Sequence, residues 1–142
     1  MGLTIGENDI MGYIAVMLAA PIAEELAFRG VILKKLKDSF GLVGCVIISA
    51  LLFGIMHLNP MQSIYVLPMG AMFAFVAYKY DSVIPAIVAH ILNNCIGIIL
   101  PMIIGRNLKN PESAILFVLL IGAAVIISHR MPVFNARKAA NV

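Results

Sequence analysis

Charge is what this chain has least of. Only 12% of its 142 residues are Asp, Glu, Lys or Arg, against 62% hydrophobic residues and a mean hydropathy of +1.02. A soluble globular chain carries roughly a quarter charged residues. The composition therefore excludes an ordinary soluble domain and points to a polytopic membrane protein. Residues 40–58 and 61–78 contain no Asp, Glu, Lys or Arg at all. Cysteine is scarce as well. Cys45 and Cys95 both lie in apolar runs and read as reduced structural thiols, so a disulfide scaffold is excluded. The chain has no Asn-x-Ser/Thr acceptor, no linker and no repeat. No secretory signal is expected at residues 1–9, which carry Glu7 and Asp9 but no Lys or Arg. The net charge of +3 does not imply nucleic acid as a partner, since the basic residues fall between apolar segments, where membrane topology puts them.

What remains is five apolar segments, at about 10–28, 40–58, 61–78, 82–105 and 113–128. Each is close to the ~20 residues a helix needs to cross hydrocarbon. They are too long, and too little alternating, for barrel strands. The expected fold class is all-α: a polytopic transmembrane helix bundle of about five membrane helices, forming one domain over 1–142. Short polar connections join the segments. Lys34, Lys35, Lys37, Lys79, Arg130, Arg137 and Lys138 fall on one side, with Arg106 and Lys109 on the other. Seven against two predicts an outside N-terminus and a cytoplasmic C-terminus. Membrane lipid is the expected surrounding partner, and the three lysines at 34–37 read as a topology signal and headgroup contact.

Set into these segments is a short inventory of strongly polar groups: Glu24, Glu25, Arg29, His57, His90, Asn93 and Asn94. An ionisable group near a membrane helix centre costs ~2.5–3.5 kcal/mol on insertion scales. Such groups therefore face protein or a wet cavity, and they pair. With a rise of ~1.5 Å per residue, Glu24 lies ~20 Å from the cytoplasmic boundary, His57 ~24 Å, His90 ~14 Å and Asn94 ~20 Å. Three helices thus present their polar groups near one level, which favours a shared site. Glu25 and Arg29, at i,i+4, share a face and form a charge pair. Glu24, turned ~100° away, is left for a cavity. His90 and Asn94 project together, and Phe53 can pack beside His57. Asn93 reads as helix–helix glue, His129 as a solvated end residue, and the Met and Phe stripe at 69–75 as ordinary packing.

An unpaired carboxylate and a histidine that share a water suit hydrolysis, the carboxylate acting as general base. A second imidazole and an amide can hold the oxyanion on a peptide carbonyl.

At this point three motifs stand in order on three successive segments: "EELAFR" at 24–29, "FGIMH" at 53–57 and "HILNN" at 90–94. The sequence resembles the CPBP family (CAAX protease and bacteriocin-processing, also called Abi) of intramembrane endopeptidases, through its EExxxR, FxxxH and HxxxN motifs. The match covers about residues 20–95. The resemblance implies an intramembrane endopeptidase acting on a membrane-associated peptide or a lipidated protein. It assigns Glu24 and His57 to water activation, and His90 and Asn94 to the oxyanion. Glu25 and Arg29 become supporting residues. Family members include prenyl-protein CAAX endopeptidases and bacterial proteins tied to bacteriocin self-immunity or maturation. No cofactor is required on the glutamate reading. A metalloprotease reading would use zinc on Glu24, His57 and His90. Family members usually carry further helices ahead of the first motif. The expectation here is a minimal or truncated member, or a chain whose bundle an oligomer or other partner completes. Two rival functions stay open: a non-enzymatic immunity or peptide-binding protein that keeps the fold, and an ion or proton pathway.

Overall fold

The computed structural model describes residues 9–104. The expected fifth segment at 113–128, His129 and the basic residues from Arg106 onward lie outside them.

Four helices account for almost all of the described chain. Helix α1 runs Ile10–Leu36. The Asp9 side chain caps it by accepting from the Gly12 N–H at 2.9 Å. It is not a uniform α-helix. Residues Ala15–Ala19 and Leu26–Ile32 are π-helical, and the α-helical turn Ala20–Glu25 lies between them. Short π insertions shift the facing of everything beyond them and are frequent at functional sites. The sequence placed the end of this segment at 28, because Arg29, Lys34 and Lys35 interrupt its apolar run. The helix continues to Leu36 because Arg29 is paired inside the protein and Leu33 is buried in the core.

Helix α2, Leu42–Met56, ends at His57, after which Leu58 takes a left-handed conformation (φ 52°). Asn59 then starts helix α3, Pro60–Tyr80, its side chain accepting from the Met61 and Gln62 N–H groups at 3.1 and 3.3 Å. Pro60 follows at the first helical position, where a missing N–H costs nothing. The two helices form a tight hairpin. A Cβ at Gly54 would stand 3.1 Å from Leu67, and one at Gly70 would stand 3.0 Å from Phe53. The Ser63 hydroxyl adds a bond to the Gly54 carbonyl at 2.8 Å. Asp81, also left-handed (φ 49°), ends α3, and helix α4 spans Ile84–Ile104. Pro85 falls in its first turn.

The two ends of this bundle differ. Lys37 reaches across from the end of α1 to Asp81 at 2.7 Å, with its ammonium over the Tyr78 ring. Lys34, Lys35, Lys37 and Lys79 therefore cluster at one end, and the 57–60 turn occupies the other.

The core joins Leu33 of α1, Cys45 of α2, Met69, Phe73, Ala74 and Ala77 of α3, and Ala86 of α4. Cys45 and Cys95 are both free thiols. Outside this core the usual burial pattern is inverted. Val43, Ile55, Ile64 and Tyr65 are exposed, while Glu25 and Arg29 are 0% and 2% exposed. Helices α1 and α3 are long and apolar enough to cross a membrane. At 15 residues α2 rises only about 22 Å, short of a ~30 Å hydrocarbon layer. Helix α4, at 21 residues, rises about 31 Å. Among the described residues the fold is all-helical, with α1 and α3 apolar and long enough to span; the fifth expected segment lies outside them.

Candidate active site

Helix α1 carries the two carboxylates on its central α-helical turn, between the π-helical stretches. Neighbouring positions on a helix diverge by ~100°, and here the divergence separates two environments. The Glu25 side chain is wholly buried, whereas that of Glu24 keeps 24% of its surface accessible.

Glu25 is held on two sides. Arg29 Nη1 donates to its Oε1 at 2.9 Å, and His90 Nδ1 approaches the same oxygen at 2.9 Å. A carboxylate accepts, so this bond puts the ring proton on Nδ1 and leaves His90 Nε2 facing outward. That nitrogen lies 3.9 Å from Glu24 Oε2. The separation is too long for a direct hydrogen bond, yet short enough for the two atoms to share a proton through slight movement or a bridging molecule. His90 therefore links the two carboxylates. Its ring stacks on Phe73 (centroids 4.7 Å apart, planes at 22°) and meets the edge of Phe53 at 5.8 Å.

Arg29 is fixed equally well. Nη2 donates to the Gly70 carbonyl of α3 at 2.8 Å. The guanidinium lies 4.6 Å over the Phe53 ring and 5.6 and 5.8 Å from those of Phe73 and Phe28. An aromatic cage of this kind stabilises a desolvated cation by its ring quadrupoles. Gly70 matters twice here, since its carbonyl takes the arginine and its missing side chain lets α3 close on Phe53 and Ala50. A cavity of about 240 Å³ begins at Arg29 and opens towards Lys34, Lys37 and Asp81. Glu24, His57 and His90 do not line it.

His57 stands at the end of α2. Its Nδ1 is 2.8 Å from the Phe53 carbonyl. A carbonyl only accepts, so Nδ1 carries the proton and Nε2 is the ring's acceptor nitrogen. The Phe53 ring meets the His57 ring edge to face at 4.9 Å. Phe53 is thus the hub of the site: it touches Phe28, Arg29, His57 and His90.

Asn94 points elsewhere. Its Nδ2 donates to the Val16 carbonyl of α1 at 2.9 Å, and its Oδ1 accepts from Asn93 Nδ2 at 3.0 Å. One of the two N–H donors of the expected oxyanion amide is thereby committed to a backbone carbonyl. Asn93, which reads from the sequence as helix–helix glue, orients the Asn94 amide.

Among the described residues no three His, Cys, Asp or Glu side chains are grouped so that they could hold a metal ion. Should zinc bind, Glu24, His57 and His90 Nε2 would have to close on it, and Glu25 on His90 Nδ1 would be the outer carboxylate contact usual for a ligating histidine.

The geometry, with its buried Glu–Arg–His network beside a partly accessible Glu, coincides with a family match. The model of the family described as type II CAAX prenyl endopeptidase Rce1-like matches residues 6–96. The chain belongs to this family. No curated protein and no solved structure matches it. All six site residues anticipated from the motifs fall inside the matched range. At family level the Rce1-like chain is a peptidase and a membrane protein, in keeping with its apolar exterior. Phe73 and Gly70 are the site residues that the sequence reading missed. Both lie in the stripe at 69–75 that reads as plain packing, and nothing in its pattern marks an imidazole or a guanidinium as neighbour.

Proposed function

We propose that this chain hydrolyses a peptide bond in a membrane-associated peptide or lipidated protein, with Glu24 as general base. The observation that supports the reading best is the 3.9 Å approach of Glu24 Oε2 to His90 Nε2, with the opposite face of that imidazole held by Glu25. Two adjacent carboxylates in such unlike surroundings suit different tasks: one anchors, the other is accessible to water. Glu24 takes one proton from water while the acceptor nitrogen of His57 orients the other hydrogen. The water oxygen bonds to the scissile carbonyl carbon. The proton is shared between Glu24 and His90 Nε2, and the resulting ring N–H faces the developing oxyanion. When the carbon–nitrogen bond breaks, that proton leaves with the amine.

The same reading places the chain across the membrane several times, with the lysine-rich end cytoplasmic and the N-terminus outside. It has support from Lys34, Lys35, Lys37 and Lys79 lying at one end of the bundle.

The test is Glu24→Gln, which keeps size and polarity but removes the base. Membrane fractions from cells with either form are compared by mass spectrometry for uncleaved substrate. Cleavage falls by about 10²–10⁴-fold, the usual value of general-base catalysis, while the variant stays folded. A biological effect that persists unchanged in Glu24→Gln would instead mark a non-enzymatic binding or immunity protein.

A further inference from the structure

Helix α1 has a defect with a specific repair. In its first π-helical stretch the Ala20 N–H bonds to the Ala15 carbonyl, five residues back. The next rung of that ladder would run from residue 21 to the Val16 carbonyl. Residue 21 is proline, which has no N–H. The ladder thus leaves the Val16 oxygen without its helical donor, in a segment where water is scarce and an unmatched carbonyl costs several kcal/mol. The group that takes its place comes from another helix: Asn94 Nδ2, at 2.9 Å. The Asn93 amide, bonded to Asn94 Oδ1, turns the donor end of Asn94 towards α1.

We propose that Asn94 is a positioning residue: its amide replaces the hydrogen bond that Pro21 removes from α1, and so sets the direction in which Glu24, three residues further on, faces α4. A π insertion adds one residue to a turn and rotates everything beyond it by ~100°. The rotation is useful only if it is held, and Asn94 clamps it from the same helix that carries His90. The bond to Val16 uses one of the two Nδ2 hydrogens of Asn94. The inference rests on the proposed hydrolysis for its activity readout alone.

The experiment uses the fact that Val16–Met17 is the one Val–Met pair in the sequence. Labelling valine with carbonyl ¹³C and methionine with ¹⁵N isolates the Val16 carbonyl resonance in the full-length chain. Asn94→Leu removes the donor, and the Val16 carbonyl signal moves upfield. Adding Pro21→Ala supplies an N–H at residue 21, and the signal returns towards its original position. Cleavage, lowered in Asn94→Leu, recovers in the double variant. If Asn94→Leu alone does not fold, recovery of folded protein in the double variant is the corresponding rescue. An unmoved Val16 signal in Asn94→Leu overturns the proposal. So does a signal that recovers while cleavage stays about 10²–10³-fold down, the deficit of a missing oxyanion donor. Two unfolded variants overturn it as well. A parent chain without peptidase activity defeats the hydrolysis reading, and the carbonyl signal still reports on Asn94.

Discussion

Two ion pairs among the described residues look alike on paper and behave differently. Glu25–Arg29 closes at 2.9 Å with both side chains 0% exposed, while Lys37–Asp81 closes at 2.7 Å with Asp81 76% exposed. The shorter pair is the weaker contributor. At the loop end water solvates each partner whether or not they meet, so the pair adds little. Around Glu25 no such refuge exists. Loss of one partner strands the other charge among Phe28, Phe53 and Phe73, and that asymmetry defines the site region.

Breaking the comparison at its strong end gives the largest effect. Arg29→Met leaves Glu25 buried without its cation and destabilises the protein by about 3–5 kcal/mol, read as a lower denaturation midpoint in detergent. Arg29→Met combined with Glu25→Met costs less than Arg29→Met alone, because no charge is stranded. Gly70→Ala comes next. Its Cβ would meet Phe53 at 3.0 Å and the Ala50 backbone at 3.4 Å, so the overpacking costs about 1–3 kcal/mol and disturbs the arginine's carbonyl partner. Phe73→Leu keeps the position apolar but loses some packing volume and the stack on His90, the stack being about 0.5–1.5 kcal/mol beyond buried area. Under the proposed hydrolysis, activity falls in it more than stability does, because the ring orients His90. Lys37→Ala closes the series at about 0–1 kcal/mol, and added salt shrinks even that difference. A Lys37→Ala loss as large as that of Arg29→Met would erase the distinction between the two regions.

The motif residues were legible because their positions violate the composition around them. A glutamate pair and an arginine in an apolar helix have to be accounted for, and i,i+4 spacing predicted the Glu25–Arg29 pair that forms. The same spacing predicted Phe53 beside His57. Other features escaped for physical reasons. Hydropathy ended the first segment at 28, since it scores Arg29 as a break and knows nothing of its cage. Spacing aligned His90 with Asn94 but gave no hint that the former turns to Glu25 and the latter to Val16. Both partners lie more than sixty residues away. Regular helical geometry also has no place for the π-helical stretches, which change which face of α1 each residue occupies.

The sequence by itself determined that apolar helices would enclose a few charged and imidazole side chains, because lipid-facing surface and desolvated charge each admit few solutions. Only the tertiary structure decided how those side chains divide their work. Glu25 became the anchor and Glu24 the accessible acid through the one rotation that α1 takes between its two π-helical stretches, with α3 and α4 packed against it.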